Sequence, residues 1–109
     1  MRPHHTLRLT ESVSRLAAEF LARRGGGLAH HGSMGTLVTV TGTRLDKSGR
    51  GATVFVTVYP ASAEAQALAE IRTWRRDLRD FLDTRLRGSP LTHIDFALDI
   101  RATRDRENS

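Results

Sequence analysis

Between Thr36 and Tyr59 the apolar residues tend to fall on every second position, whereas on either side they recur every third or fourth. One element cannot serve both periods: a strand turns its side chains over at each residue, a helix brings them back every 3.6. The chain must therefore combine helices with a sheet. In ATVFVTVY, Ala52 to Tyr59, Val54, Val56 and Val58 share one face, and Thr53, Phe55, Thr57 and Tyr59 the other. TLVTVTGTRL, Thr36 to Leu45, is equally rich in valine and threonine, both strand formers. The link DKSGRG carries two glycines and suits a hairpin turn, so an antiparallel pair is expected.

Upstream, Thr10 has the chemistry of an N-cap, with Glu11 in the first turn after it. Val13, Leu16, Ala17, Phe20 and Leu21 then form one apolar helix face. Gly25-Gly26-Gly27 is expected to stop that helix, and the stretch to Gly35 reads as a connection. Downstream, Ser62 is a candidate cap, and Ala67, Ile71, Trp74, Leu78, Leu82 and Leu86 define a second buried stripe. That helical segment runs from Ala63 to about Arg87, long enough to predict a kink or break inside it. Gly88-Ser89-Pro90 ends it. HIDFALDI then alternates again, with Ile94, Phe96, Leu98 and Ile100 on one face and Asp95, Ala97 and Asp99 on the other. The order α-β-β-α-β predicts a two-layer α+β sandwich, two helices on one face of a three-stranded sheet. Thr53, Thr57, Asp95 and Asp99 are expected to face solvent on its other side.

With 109 residues one domain is expected. Residues 1–8 read as a flexible N-terminus, 9–100 as the domain, and 101–109 as a disordered polar tail. There is no cysteine, no apolar signal core and no apolar run near the ~20 residues of a membrane span, so a cytoplasmic protein is expected. No nucleophile–base–acid signature or phosphate-binding loop occurs, which argues against an enzyme and a small-molecule substrate. The pairs His4-His5 and His30-His31 do not converge on an ion, His93 stands alone, and neither a metal nor another cofactor is expected.

Charge is more informative. The net charge is +5, and of 17 cationic residues all but Lys47 are arginine. Arginine forks onto phosphates and stacks on bases, so a polyanion is the natural partner of such a chain. Six of the arginines lie in RTWRRDLRDFLDTRLR, Arg72 to Arg87. Arg72, Arg75, Arg76 and Arg79 recur at helical spacing and form a patch opposite Trp74, Leu78 and Leu82. Interleaved Asp77, Asp80 and Asp83 offset them only in part; exposed i,i+4 pairs contribute ~0.3–0.5 kcal/mol each, a weak reason to cluster arginines. Phosphate contacts release counterions and give a stronger one. The candidate RNA-binding residues are Arg72, Arg75, Arg76, Arg79, Arg85 and Arg87, extended by Arg44, Lys47 and Arg50 of the hairpin. With aromatics at 6% and Trp74 on the apolar stripe, no stacking platform is expected.

The stretches LVTVTGTRLDKSGRGATVFVTVYP, ALAEIRTWRRDLRDFLDTRLR and PLTHIDFALDI, in this order, resemble the ribosome-binding factor A family of bacterial small-subunit assembly factors. The resemblance runs from about Leu9 to Ile100 and includes Ala52, Pro90, Phe96 and Asp99. It implies a KH-like fold of the second type, in which an alanine-x-glycine kink between two helices replaces the usual GxxG loop. Here Ile71-Arg72-Thr73 occupies that kink position, and Ser48 stands where the family usually has aspartate. The resemblance further implies a non-catalytic monomer in the cytoplasm that binds the immature small ribosomal subunit and its 16S rRNA and assists rRNA maturation. The alternative is a KH-like nucleic-acid-binding or protein-interaction module, or a dimerisation module, unrelated to the ribosome.

Overall fold

The valine face of Ala52–Tyr59 is the centre of the molecule. A computed structural model describes residues 3–29 and 36–101, with side chains over 8–24 and 36–101. Strand β1 (Leu37–Leu45) pairs antiparallel with β2 (Gly51–Tyr59), which pairs parallel with β3 (His93–Leu98) in the order β1-β2-β3. A parallel neighbour requires a long crossover. It is supplied by a 3-10 turn (Ala61–Ala63), α2 (Glu64–Arg72) and α3 (Arg75–Arg85). With α1 (Pro3–Ala29) these helices cover one sheet face, as expected. Val54, Val56 and Val58 are buried between the layers with Val13, Leu16, Ala17, Phe20, Leu21, Ile71, Leu78, Leu82, Ile94 and Phe96. Among the described residues no polar side chain is buried with them.

Helix α1 starts at Pro3, not after a cap at Thr10. Proline suits a first turn, where its missing N–H needs no partner. Leu9 carries the buried stripe one turn earlier than expected. Gly25-Gly26-Gly27 does not stop the helix, which runs to Ala29; glycine costs about 1 kcal/mol in a helix but, unlike proline, leaves every hydrogen bond in place. The connection expected up to Gly35 lies, over 30–35, outside the described residues, as do His30, His31 and the tail 102–109. Ser62 sits within the 3-10 turn, and α2 has no side-chain cap.

The break expected in the long helical segment falls at Thr73–Trp74. There the ladder tightens: the Thr73 and Trp74 amides donate to Glu70 and Ile71, both at 3.0 Å, and the Thr73 hydroxyl donates to the Glu70 carbonyl at 2.6 Å. A hydroxyl bonded to a carbonyl three residues back competes with the regular helix and bends it. Ile71 and Leu78, on either side of the break, are both buried, whereas Trp74 and Leu86 are only half-buried.

Two local devices fix the sheet. In the hairpin, Gly49 has φ 74°, a left-handed conformation that closes the turn after Lys47 and Ser48. At Gly51 a Cβ would collide with the His93 ring and the Asp46 carboxylate, which lie across the start of β2. A bulge between Val40 and Gly42 shifts the β1 register, so that Thr43 meets α1, where its hydroxyl hydrogen-bonds that of Ser14 at 2.7 Å. Strand β3 stops at Leu98. Ile100, expected on the core face, is instead 67% exposed because the chain turns helical there.

Candidate nucleic-acid interface

Strand β3 is an edge, and the break between α2 and α3 lies against it. Arg72, the last residue of α2, reaches round that edge to Asp95: its Nε donates to Oδ1 at 3.0 Å and its Nη2 to Oδ2 at 2.9 Å. Arg75, opening α3, adds Nη1 to Oδ1 at 3.3 Å and returns its Nε to the Arg72 carbonyl at 2.9 Å. Asp95 therefore does not simply face solvent. Hydrogen bonds from Arg72, then the Phe96 amide and the charges of Arg72 and Arg75, hold its carboxyl below the usual carboxylate range against an opposing effect of burial. The same pairing raises the Arg72 guanidinium. Asp99 is likewise engaged, accepting the Thr41 hydroxyl at 2.6 Å, and Thr53 and Thr57 are half-buried.

One turn further along α3, Arg79 donates from Nη1 to the Thr92 carbonyl at 3.1 Å and approaches Asp80 at 3.8 Å. Its Nε is buried without a hydrogen-bond partner. The Thr92 amide in turn donates to the Arg50 carbonyl at 2.7 Å, which draws the hairpin turn to the same corner. There His93 lies 3.5 Å from Asp46. The Asp46 carboxyl is held low, chiefly by the Ser48 hydroxyl at 2.7 Å. Arg75, Arg76, Arg79, Thr92, His93 and Ile94 line a shallow groove of about 250 Å³. Arg76 carries no ion pair to another described residue.

The sequence patch is thus divided by the fold. Arg72 and Arg75 are committed to Asp95; Arg76 and Arg79 line the groove with Arg75, and the Arg50 backbone adjoins them. Lys47 and Arg50 are exposed on the hairpin turn. Arg85 turns toward α1, its guanidinium 4.2 Å from the Phe81 ring centre and 3.5 Å from Glu19. Arg87 is exposed past the end of α3. Arg44 lies on the sheet face away from the helices, stacked 5.3 Å from the Phe55 ring centre. Ile71 is buried in the core, and Thr73 makes the break itself. Two arginines outside the sequence set also have structural partners: Arg24 pairs with Asp77 at 2.8 Å and covers Phe20 and Trp74, and Arg23 pairs with Glu19 at 2.8 Å.

The structure is similar to the crystal structure of ribosome-binding factor A from Thermus thermophilus. The TM-score is 0.70 and the sequence identity 25%, over 85% of this chain and 94% of that one. The chain has an α+β, KH-like fold with a three-stranded mixed sheet. No family model and no curated protein matches the sequence. Among the described residues no group of three His, Asp or Glu side chains could hold a metal ion, and no helix is long and apolar enough to cross a membrane.

Proposed function

We propose that this protein is a cytoplasmic, non-catalytic assembly factor that binds the immature small ribosomal subunit and assists maturation of its 16S rRNA. The observation that carries the reading is the likeness to ribosome-binding factor A over nearly the whole of both chains. The groove beside β3 supports it, because it gathers cations on one edge of a basic molecule. In this reading Arg76 and Arg79 contact RNA phosphates directly, helped by Arg50 and Lys47. Arg72 and Arg75 hold the helix break against β3 and so set the shape that the RNA meets. A-form RNA hides its deep groove, so such an edge reads backbone shape and single-stranded junctions more than base identity. The factor acts as a monomer by favouring an immature conformation of the subunit and leaves when that conformation is gone.

The test is sedimentation of the purified protein with free small subunits, with mature ribosomes and with naked duplex RNA, at low and high salt. Preferential binding to the free subunit that weakens with salt is expected. Equal binding to all three would reduce the protein to a basic KH-like domain without ribosomal selectivity.

A further inference from the structure

Among the described residues no helix covers the sheet face turned away from α1, α2 and α3, and this face holds what the cationic groove lacks. Phe55 and Tyr59 both project from it on the central strand, about 13 Å apart at ~3.3 Å per residue. The bulge in β1 opens space beside Phe55, where nothing lies within 4 Å of a Cβ placed on Gly42. A concavity of about 620 Å³ results, with Thr41, Arg44, Phe55, Asp99, Ile100 and Arg101 among its walls. Among the described residues the three most exposed large apolar side chains border this face: Ile100 at the concavity, and Leu37 paired with Tyr59 at the far end.

The chemistry of the walls selects the occupant. An apolar protein side chain would meet a rim of threonines and charges. A nucleobase that displaces the exposed Arg44 side chain from the Phe55 ring, 5.3 Å away, meets a ring to stack on, a planar guanidinium to cover its other face, and polar groups for its edge. Arg44 and Arg101 outnumber Asp99, whose Oδ2 is already held by Thr41, so the concavity favours an anionic backbone. We propose that it is a base-binding site for single-stranded RNA, in which the Arg44 guanidinium lifts from the Phe55 ring, one base stacks on Phe55 in its place with Arg44 over the base's other face, and Arg101 meets the adjoining phosphate. The proposal rests on the RNA-binding reading for its class of ligand, but the site is on the opposite face of the sheet from the helices.

Binding of fluorescent hexa-adenylate and of a short duplex RNA to the full chain tests it. Phe55→Leu keeps the apolar bulk and removes the stacking ring, so hexa-adenylate affinity should fall about tenfold with duplex affinity unchanged. Arg76→Gln should do the reverse. Arg44→Gln, a surface change, should reproduce the hexa-adenylate loss even where Phe55→Leu fails to fold. Crosslinks from a thiouridine-containing oligonucleotide should map to the β1 and β2 peptides. Hexa-adenylate binding that survives both substitutions would overturn the site, as would crosslinks confined to α3. So would a concentration-dependent self-association abolished by Phe55→Leu, which would make this face a protein interface. Failure to co-sediment with small subunits would count against the assembly reading alone, because hexa-adenylate binding needs no ribosome.

Discussion

Arg72 and Arg76 are one helical turn apart in sequence, yet the fold gives them different surroundings, and under the proposed function salt separates their roles. Arg76 is exposed and carries no ion pair to a described residue, whereas Arg72 is committed by two hydrogen bonds to Asp95. If Arg76 neutralises one RNA phosphate, Arg76→Gln removes one counterion-release event and lowers the slope of log affinity against log salt by about 0.7 to 0.9. Across a fourfold rise in salt, about 50 to 200 mM, the variant should therefore lose about threefold less affinity than the wild type. Arg72→Gln removes the same charge, but one that Asp95 already neutralises. Its slope should stay that of the wild type, while thermal stability falls because Asp95 loses its main partner. Fluorescence anisotropy with labelled small-subunit RNA at four or five salt concentrations, beside thermal melts of each variant, reads both quantities. Equal slope changes for the two variants would refute the division of labour, and a larger change for Arg72→Gln would invert it.

Three further outcomes follow from the packing and the charges. Leu78 is fully buried where α3 meets the sheet, so Leu78→Ala should cost about 3 kcal/mol and lower Tm by roughly 12 °C or more, measured by calorimetry. Thr43→Val leaves the half-buried Ser14 hydroxyl without its partner and should cost about 1 kcal/mol, and the double variant with Ser14→Ala should recover most of it in urea melts. The Asp95 carboxyl is held below its ordinary value in the folded chain, so the unfolded chain takes up this proton first as pH falls. The contribution of Asp95 is therefore complete above about pH 4 and is lost below it; Asp95→Asn should flatten that part of the acid limb of a stability–pH curve and lower stability at neutral pH.

Elements that obey one period over many residues were legible in the sequence: the valine face of β2, the stripe Val13–Leu21 and the hairpin, while the length of the segment from Ala63 to Arg87 called for a break somewhere within it. Boundaries were less so, because each depended on a preference that packing overrode. Threonine can cap a helix, but Leu9 had a place in the core and α1 extended past Thr10. Alternation continues to Ile100, but hydrogen bonding to β2 ends near Asp99 and the chain turns. The partners of the arginines were the least legible. Arg72 and Asp95 are 23 residues apart, Arg24 and Asp77 53, and Arg85 and Glu19 66. Local spacing paired the arginines with Asp77, Asp80 and Asp83 of their own helix, whereas two of the three closest pairings cross between elements.

Those long-range pairs account for three of the six arginines of Arg72 to Arg87 and for the absence of lysine at those positions. A lysine at position 72 could not hold both oxygens of Asp95 in one plane, nor could one at position 85 lie so well on Phe81 while reaching Glu19. Half of the cluster therefore belongs to the architecture: Arg72 and Arg75 strap the broken helix to the sheet edge, and Arg85 helps seat α3 on α1. Such straps also remove positive charge from the surface. What remains exposed to a polyanion is a smaller set, Arg76, Arg87 and the part of Arg79 not bonded to Thr92, with the hairpin cations beside the groove. A chain that used every arginine for RNA would have no comparable means of holding the break at Thr73 without a glycine. One that used them all for packing would have no cationic groove. Dividing them lets the same eight residues, Arg72 to Arg79, shape the edge and charge it.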